Sequence, residues 1–250
     1  MKAILYIGHG TRSKIGAAEA KLFIESVMER VHAPIQEMSF LELTAPSIEE
    51  GFERCVQEGA SSIHVVPLFL LAAGHIKVDI PEALKPLAEK YPGIPIHTAN
   101  PFGVQERILD AIQELVYDTA GSTASEDSVL IVGRGSSEKQ IHDRFADIAR
   151  GIQSRLNVHS VRVCYLAAAS PSFQDGMASI VKEAKGRIIV IPYLLFGGLL
   201  LAEVNREVSR QKSQGADILQ TGALSGHKAI REIVIERASQ KEDTHAAIYH

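Results

Sequence analysis

The stretch AILYIGHG at residues 3–10 returns as SVLIVGRG at residues 128–135, so that His9 aligns with Arg134 at an offset of 125. Two further pairs of segments align at the same offset, namely FLELTAPS (40–47) with YLAAASPS (165–172), and VVPLF (65–69) with VIPYL (190–194). An internal repeat constrains the architecture before any single element is considered. The sequence therefore predicts one structural unit that occurs twice, as a first copy and a second copy.

Each copy alternates short apolar runs with amphipathic segments, a pattern typical of α/β domains with a mainly parallel sheet. We predict an α/β fold of two similar lobes, each a mainly parallel four-stranded sheet with helices on both faces. The predicted strands are 3–7, 35–41, 62–69 and 94–98, then 128–132, 161–166, 187–194 and 216–220. The predicted helices are 16–31, 46–58, 80–90 and 103–118, then 140–155, 171–184, 203–213 and 226–239.

Small and polar residues without periodicity separate the two copies, which is typical of a linker. We therefore predict an N-terminal lobe over 1–118 that carries the metal and catalytic residues, and a linker over 119–127. The C-terminal lobe over 128–250 is then a degenerate repeat.

Composition and charge exclude several classes of function. Of the 250 residues, 46% are apolar and 22% are charged, as in an ordinary globular protein. The net charge of −4 gives no electrostatic footprint for nucleic acid. The longest apolar run, 188–202, contains Pro192 and falls short of the roughly 20 residues that cross a bilayer. No signal-peptide pattern precedes the first predicted strand, so we expect a cytoplasmic protein without a membrane or nucleic-acid partner.

Cys55 and Cys164 lack the CxxC spacing of metal or redox motifs. Both lie in apolar segments, so we predict that they are buried free thiols.

Three polar positions interrupt the match between the copies: His9 aligns with Arg134, Glu42 with Ala167, and His75 with Leu200. The first-copy residues all follow predicted strands, and open parallel sheets bind ligands outside the carboxyl ends of their strands. Two imidazoles and a carboxylate suit a first-row divalent metal, and an imidazole can also accept a proton near neutral pH. A histidine in such a turn is more commonly a hydrogen-bonded loop residue. The joint replacement of all three residues favours a functional site.

Two further features could contact a ligand. Arg134, Ser136 and Ser137 could form a cradle for a carboxylate or phosphate, although an exposed arginine without a ligand is equally compatible with this loop. The apolar runs 67–74 and 192–200 are long for loops and would supply the apolar walls that a flat organic ligand needs.

These motifs closely resemble those of the class II chelatases of the SirB/CbiX family, which metallate sirohydrochlorin. The resemblance spans both copies and is strongest in GHGTR at 8–12, FLELTAPS at 40–47 and VPLFLLAAGHIKVDIP at 66–81. It implies two similar α/β lobes that face each other across a cleft, with the second copy as the opposite wall. It also implies insertion of Fe²⁺, or of Co²⁺ in relatives, into a tetrapyrrole.

Carried onto this sequence, the resemblance implies that His9 and His75 bind the metal and accept pyrrole protons, while Glu42 assists the metal or contacts the macrocycle. The implied substrate contacts are Glu42, Leu70, Leu71, Ala72, Ala73, Gly74, His75, Arg134, Ser136 and Ser137. No cofactor is permanently bound, because Fe²⁺ is a substrate, and Co²⁺ and Ni²⁺ suit the same ligands. The second copy departs from the motif and receives no catalytic role.

Other functions remain open on the sequence. One is a sirohydrochlorin cobaltochelatase of cobalamin biosynthesis, although the lack of a His-rich segment and of a cysteine cluster favours iron. Another is a non-catalytic carrier of metal or tetrapyrrole. A third is a phosphohistidine phosphatase, which Gly8 disfavours because those enzymes have an arginine before the histidine. Since one chain contains both copies, we expect a monomer.

Overall fold

The computed structural model describes residues 1–240. The first copy contains the strands β1 (Lys2–Gly8), β2 (Ile35–Phe40), β3 (Ser62–Pro67) and β4 (Ile96–Thr98). The second contains β5 (Ser128–Gly133), β6 (Ser160–Tyr165), β7 (Ile188–Tyr193) and β8 (Ile218–Gln220). Each copy forms one four-stranded sheet, in the orders β2-β1-β3-β4 and β6-β5-β7-β8, and all neighbouring strands are parallel. The predicted α/β fold of two similar lobes is confirmed.

The helices of the described residues follow the predicted pattern. They are α1 (Lys14–Met28), α2 (Ile48–Gln57), α3 (Ile80–Lys90), α4 (Glu106–Ala120), α5 (Lys139–Arg155), α6 (Phe173–Glu183), α7 (Leu199–Ser213) and α8 (Lys228–Ser239). Helix α7 begins four positions before the predicted residue 203.

A π-helical turn, His75–Asp79, precedes α3 and was not predicted. Pro81 lies in the first turn of α3. Its ring lacks an N–H and crowds the carbonyl four residues earlier, at Lys77, and we attribute the widened turn to this proline.

Helices α2 and α6 begin at equivalent caps. The Ser47 hydroxyl accepts from the Glu50 N–H at 3.2 Å, and the Glu50 carboxylate accepts from the Ser47 N–H at 2.7 Å. In the second copy the Ser172 hydroxyl accepts from the Asp175 N–H at 3.1 Å. Both sequences thus satisfy N–H groups that have no partner within the helix.

The first sheet packs on both of its faces, because successive side chains of a strand point to opposite faces. Leu5 and Ile7 pack with the buried Phe52 of α2 and Leu84 of α3. Helix α1, which follows β1, covers the other face of the sheet. The chain crosses from β1 to β2 in one direction and from β2 to β3 in the opposite direction, and right-handed crossovers in opposite directions place their helices on opposite faces.

The chain folds into two compact units. The first comprises Met1–Gly103 and the described residues from Arg231 onward, and the second comprises Val104–Ile230. This division differs from the predicted sequential lobes over 1–118 and 128–250, since α4 belongs to the second unit and most of α8 to the first. Residues 241–250 of the predicted second lobe lie outside the described residues.

Specific contacts hold α4 and α8, the last helix of each copy, in these units. In the second unit, the Arg155 Nε donates to Asp110 of α4 at 2.8 Å. In the first unit, the His64 Nε2 donates to the backbone carbonyl of Arg237 at 2.9 Å, which ties α8 to β3. Helix α4 also packs on β7 and β8, so the terminal helix of each copy lies against the sheet of the other copy.

Cys55 and Cys164 are buried and free, as predicted. Burial raises the pKa of each thiol to about 12, so both remain protonated at neutral pH. Within residues 1–240, no helix is long and apolar enough to cross a membrane.

Candidate active site

The carboxyl end of β1 places His9 beside Glu42. The Leu41 N–H donates to the Gly8 carbonyl at 2.9 Å, and the Glu42 N–H donates to the His9 carbonyl at 3.0 Å. Pairing between the first two strands therefore continues past the end of both. The His9 Nδ1 lies 3.6 Å from the Glu42 Oε1, and 30% and 48% of the respective side chains are exposed. The structure thus brings these two predicted site residues together.

Gly10 allows the two loops to approach this closely. Its φ is +90°, and a Cβ on it would lie 1.7 Å from the Glu42 carbonyl oxygen. Only glycine fits both the backbone conformation and the space. Gly135 of the second copy has a φ of +96°, and its Cβ would lie 1.8 Å from the Ala167 carbonyl oxygen. The turn is therefore the same in both copies.

The two ring nitrogens of His9 have different roles. Its Nδ1 lies 3.2 Å from the Gly10 carbonyl oxygen, which can only accept a hydrogen bond. In this arrangement Nδ1 carries the hydrogen, while Nε2 keeps its lone pair. The neighbouring Glu42 carboxylate can stabilise positive charge on the ring.

The loop after β3 reaches the same edge of the sheet. The Phe69 ring lies 6.0 Å from the His9 ring, measured between centroids. The Phe102 N–H donates to the Phe69 carbonyl at 2.9 Å, and the Gly103 N–H donates to the Leu70 carbonyl at 2.8 Å, which fixes the start of the loop. The predicted lining residues Leu70, Leu71, Ala72, Ala73 and Gly74 follow and are all partly exposed.

This edge is a topological switch point. The chain leaves β1 towards β2 in one direction and leaves β3 towards β4 in the other. A crevice forms between two strands whose connections diverge, and open α/β sheets bind ligands there. His9 follows one of these strands, and the loop over 68–74 follows the other.

His75 is the first residue of the π-helical turn, so its backbone continues directly from this loop. Among the described side chains, no group of three or more His, Cys, Asp or Glu residues is arranged to hold a metal ion. The predicted metal set of His9, His75 and Glu42 therefore stays a prediction.

The corresponding loop of the second unit has different chemistry. Arg134 and Ser137 are exposed. The Ser136 hydroxyl accepts from the Glu138 N–H at 3.1 Å, and the Ser136 carbonyl accepts from the His142 Nε2 at 2.8 Å. One lone pair of that hydroxyl thus stabilises the turn. Contact of Arg134, Ser136 and Ser137 with a substrate carboxylate stays a prediction.

Sequence reasoning gave two residues of this site no specific role. Phe69 belongs to the predicted apolar run 67–74, but its proximity to the His9 ring was not predicted. Thr44 joins the His9 loop to the Glu42 loop through hydrogen bonds to Thr11. The repeat carried a signal for Thr44, because it aligns with Ala169 and is thus a further polar residue that the second copy lacks.

The chain matches the CbiX family over residues 3–119 and 128–241, and it belongs to that family. Each matched range covers one copy, in agreement with the internal repeat.

Individual relatives are also similar along most of their length. The chain is 38% identical to the sirohydrochlorin ferrochelatase of Priestia megaterium over 234 residues, which are 94% of the chain and 88% of that relative. It is 30% identical over 246 residues to a sirohydrochlorin cobaltochelatase of the same organism, covering 96% of the chain and 80% of the relative. Its structure matches that of SirB from Bacillus subtilis with Fe³⁺ at a TM-score of 0.84 and 35% identity, with 95% of both chains covered.

Proposed function

We propose that this protein is a sirohydrochlorin ferrochelatase, an enzyme that inserts Fe²⁺ into sirohydrochlorin to form siroheme. The metal is a substrate, and no cofactor is permanently bound. Support comes from the similarity to a ferrochelatase and to SirB with Fe³⁺ over nearly the whole chain. The observation that carries the proposal is the His9–Glu42 pair at the switch point of the first sheet.

The spacing of this pair suits a shared divalent ion. Two donor atoms that bind one tetrahedral ion at about 2.1 Å each lie about 3.4 Å apart. The His9 Nδ1 and the Glu42 Oε1 are 3.6 Å apart, so small side-chain rotations suffice. In this proposal His75 supplies the further ligand from the loop after β3. Metal binding at Nδ1 requires the hydrogen that this nitrogen otherwise directs at Gly10 to move to Nε2, and Nδ1 becomes free to accept a proton when the metal passes to the macrocycle.

Metal insertion replaces both inner N–H protons of the macrocycle with Fe²⁺. His9 and His75 accept these protons, as imidazoles can near neutral pH. The segment Leu70 to His75 contacts the apolar surface of the macrocycle, and Glu42 assists the metal. Arg134, Ser136 and Ser137 bind substrate carboxylates, for which an arginine fork is well suited.

The second candidate function is insertion of Co²⁺ by the same site. The similarity to a cobaltochelatase favours it, although the identity is lower than to the ferrochelatase. Histidine and carboxylate ligands accept both ions, and metal availability usually decides between them. We further propose a monomer, since one chain holds both copies, and a cytoplasmic location, which suits two free buried cysteines.

Anaerobic absorbance assays with excess sirohydrochlorin and Fe²⁺ or Co²⁺ test the proposal. We expect many turnovers per protein molecule, and faster turnover with Fe²⁺. His9→Ala and His75→Ala should each lower kcat/KM by about 100-fold or more, because each removes a base and a ligand. His32→Ala is the matched control, since His32 is an exposed histidine of the same unit.

Three results would contradict the proposal. Metallation that stops at one equivalent indicates a carrier. Full activity in either site variant removes the assigned roles. A higher kcat/KM with Co²⁺ than with Fe²⁺ favours the cobaltochelatase.

A further inference from the structure

We infer that Thr44 is a positioning residue that fixes the distance between His9 and Glu42, an inference that rests on the proposed function of this pair. Thr44 forms its side-chain hydrogen bonds with Thr11. It acts through the backbone of the loop that carries His9.

The contact consists of two hydrogen bonds. The Thr44 Oγ1 accepts from the Thr11 N–H at 2.9 Å and donates to the Thr11 carbonyl at 3.1 Å. Thr11 lies two residues after His9, and Thr44 lies two residues after Glu42. One hydroxyl thus clamps the two loops together next to their functional side chains.

The second copy shows that the turn forms without this clamp. It retains the hydrogen bonds from the Leu166 N–H to the Gly133 carbonyl at 3.0 Å and from the Ala167 N–H to the Arg134 carbonyl at 2.8 Å. The residue equivalent to Thr44 is Ala169, which has no hydroxyl. The clamp is therefore present in the copy that carries the donor pair and absent from the copy that lacks it.

The backbone next to Glu42 has the same unusual conformation in both copies. Leu43 has a φ of +61°, a conformation that non-glycine residues rarely adopt, and 53% of its side chain is exposed. The Thr44 N–H donates to the Glu42 carbonyl at 2.7 Å and closes a tight turn around Leu43. Such a conformation persists when the surroundings hold it in place. Ala168 of the second copy has a φ of +53° without the clamp, so the rest of the turn holds this conformation and the two bonds to Thr11 act on the spacing between the loops.

A small loosening matters because two donors can share one ion only within a narrow range of separations. Loss of the clamp should therefore weaken metal binding more than it weakens binding of the macrocycle. If Thr44 only stabilised the fold, its loss would instead lower the stability of the protein and weaken binding of the metal and of the macrocycle equally.

The test compares Thr44→Val, which keeps the shape but loses both bonds, with Thr44→Ser, which keeps the hydroxyl. Thr44→Ala is a second loss variant and introduces the residue that the folded second copy already tolerates. Ala169→Ser is the matched control in the second unit. For each variant, the Co²⁺ dissociation constant is measured by absorbance, kcat and KM are measured with sirohydrochlorin, and stability is measured by urea unfolding.

We expect Thr44→Val and Thr44→Ala to raise the Co²⁺ dissociation constant and to lower kcat by about 10-fold or more, as is typical when a residue supporting metal ligands is lost. The KM for sirohydrochlorin should stay within about 2-fold, and Thr44→Ser should recover most of the loss. Unchanged Co²⁺ affinity in the loss variants would overturn the inference. So would a loss that the serine does not recover. Co²⁺ affinity that depends on Thr44 in a protein without turnover would support the clamp and reject the proposed enzyme.

Discussion

The first and second copies share a backbone turn but not its chemistry. Gly10 and Gly135 both have positive φ angles and press against a carbonyl of the neighbouring loop. The turn that holds His9 and Glu42 in one copy therefore belongs to the fold of both. What distinguishes the first copy at this turn is a small set of side chains on the same backbone.

The copies also differ in the segment between the third strand and the helix that follows it. In the second copy, α7 begins directly at Leu199 as a regular α-helix. In the first, the equivalent residues form the π-helical turn His75–Asp79. Pro81 aligns with Arg206, so the second copy lacks the proline to which we attribute the widened turn. The irregular backbone begins at His75, a proposed metal ligand, and π-helical turns often occur at functional positions.

The largest effect on stability should come from Gly10 and from the equivalent Gly135. We expect Gly10→Ala and Gly135→Ala each to lower the free energy of unfolding by about 3 kcal/mol, because a Cβ meets a carbonyl and the φ angle is unfavourable. Urea unfolding measures this loss. Under conditions where both variants stay folded, Gly10→Ala alone should lose Co²⁺ affinity. Equal loss of Co²⁺ affinity in both would show that the second copy also takes part in metal binding.

A smaller effect should come from an ion pair that distinguishes the second sheet. Asp127, whose side chain is 4% exposed, accepts from Arg187 at 2.7 Å and from the Ala124 N–H at 2.9 Å. The equivalent first-copy residue is Lys2. Burial favours a higher pKa for Asp127, but the hydrogen bonds from Arg187 and from backbone N–H groups outweigh it and hold the pKa below its usual value. Asp127→Ala should cost about 2 kcal/mol at pH 7, since it removes charged hydrogen bonds to an arginine that is only partly buried.

The pH dependence of this pair has a definite sign. A carboxyl whose pKa is lower in the folded state contributes its stability above the unfolded value, about 3.9 for aspartate. The contribution disappears as the pH falls through the folded value. The difference in unfolding free energy between the wild type and Asp127→Ala should therefore shrink below about pH 4. A difference that stays constant from pH 7 to pH 3 would contradict this account.

The smallest effect should come from the equivalent caps of α2 and α6. Ser47→Ala and Ser172→Ala should each lower the unfolding free energy by about 1 kcal/mol, because each leaves a helix N–H without its partner. Thermal or urea unfolding measures both. Neither should change Co²⁺ affinity, since these caps are common to both copies. A clear difference between the two would show that the copies are not equivalent even in their scaffold.

The sequence predicted most of the fold because strand and helix signals are local. Apolar runs depend on neighbouring residues, and the repeat supplied each assignment twice. It did not reveal that α4 belongs to the second unit. The apolar side of a helix shows that it packs on a sheet, but not on which sheet.

The site was predicted only in part for a similar reason. The rule that ligands bind at strand carboxyl ends placed His9 near Glu42, yet their separation of 3.6 Å depends on Gly10 and Thr44. The contact between Phe69 and His9 depends on how the loop after β3 folds back. Such distances arise from tertiary contacts between segments remote in sequence.

Because α4 and α8 each pack on the sheet of the other copy, a cut between the two repeats separates parts that belong together. A cut between the repeats yields a fragment 1–118 that ends in α4, whose partner strands β7 and β8 are on the other product. The same fragment lacks α8, so that the carbonyl bound by His64 is gone and part of its sheet is uncovered. Each half would expose surfaces that the whole chain buries, and we expect neither half to fold stably alone.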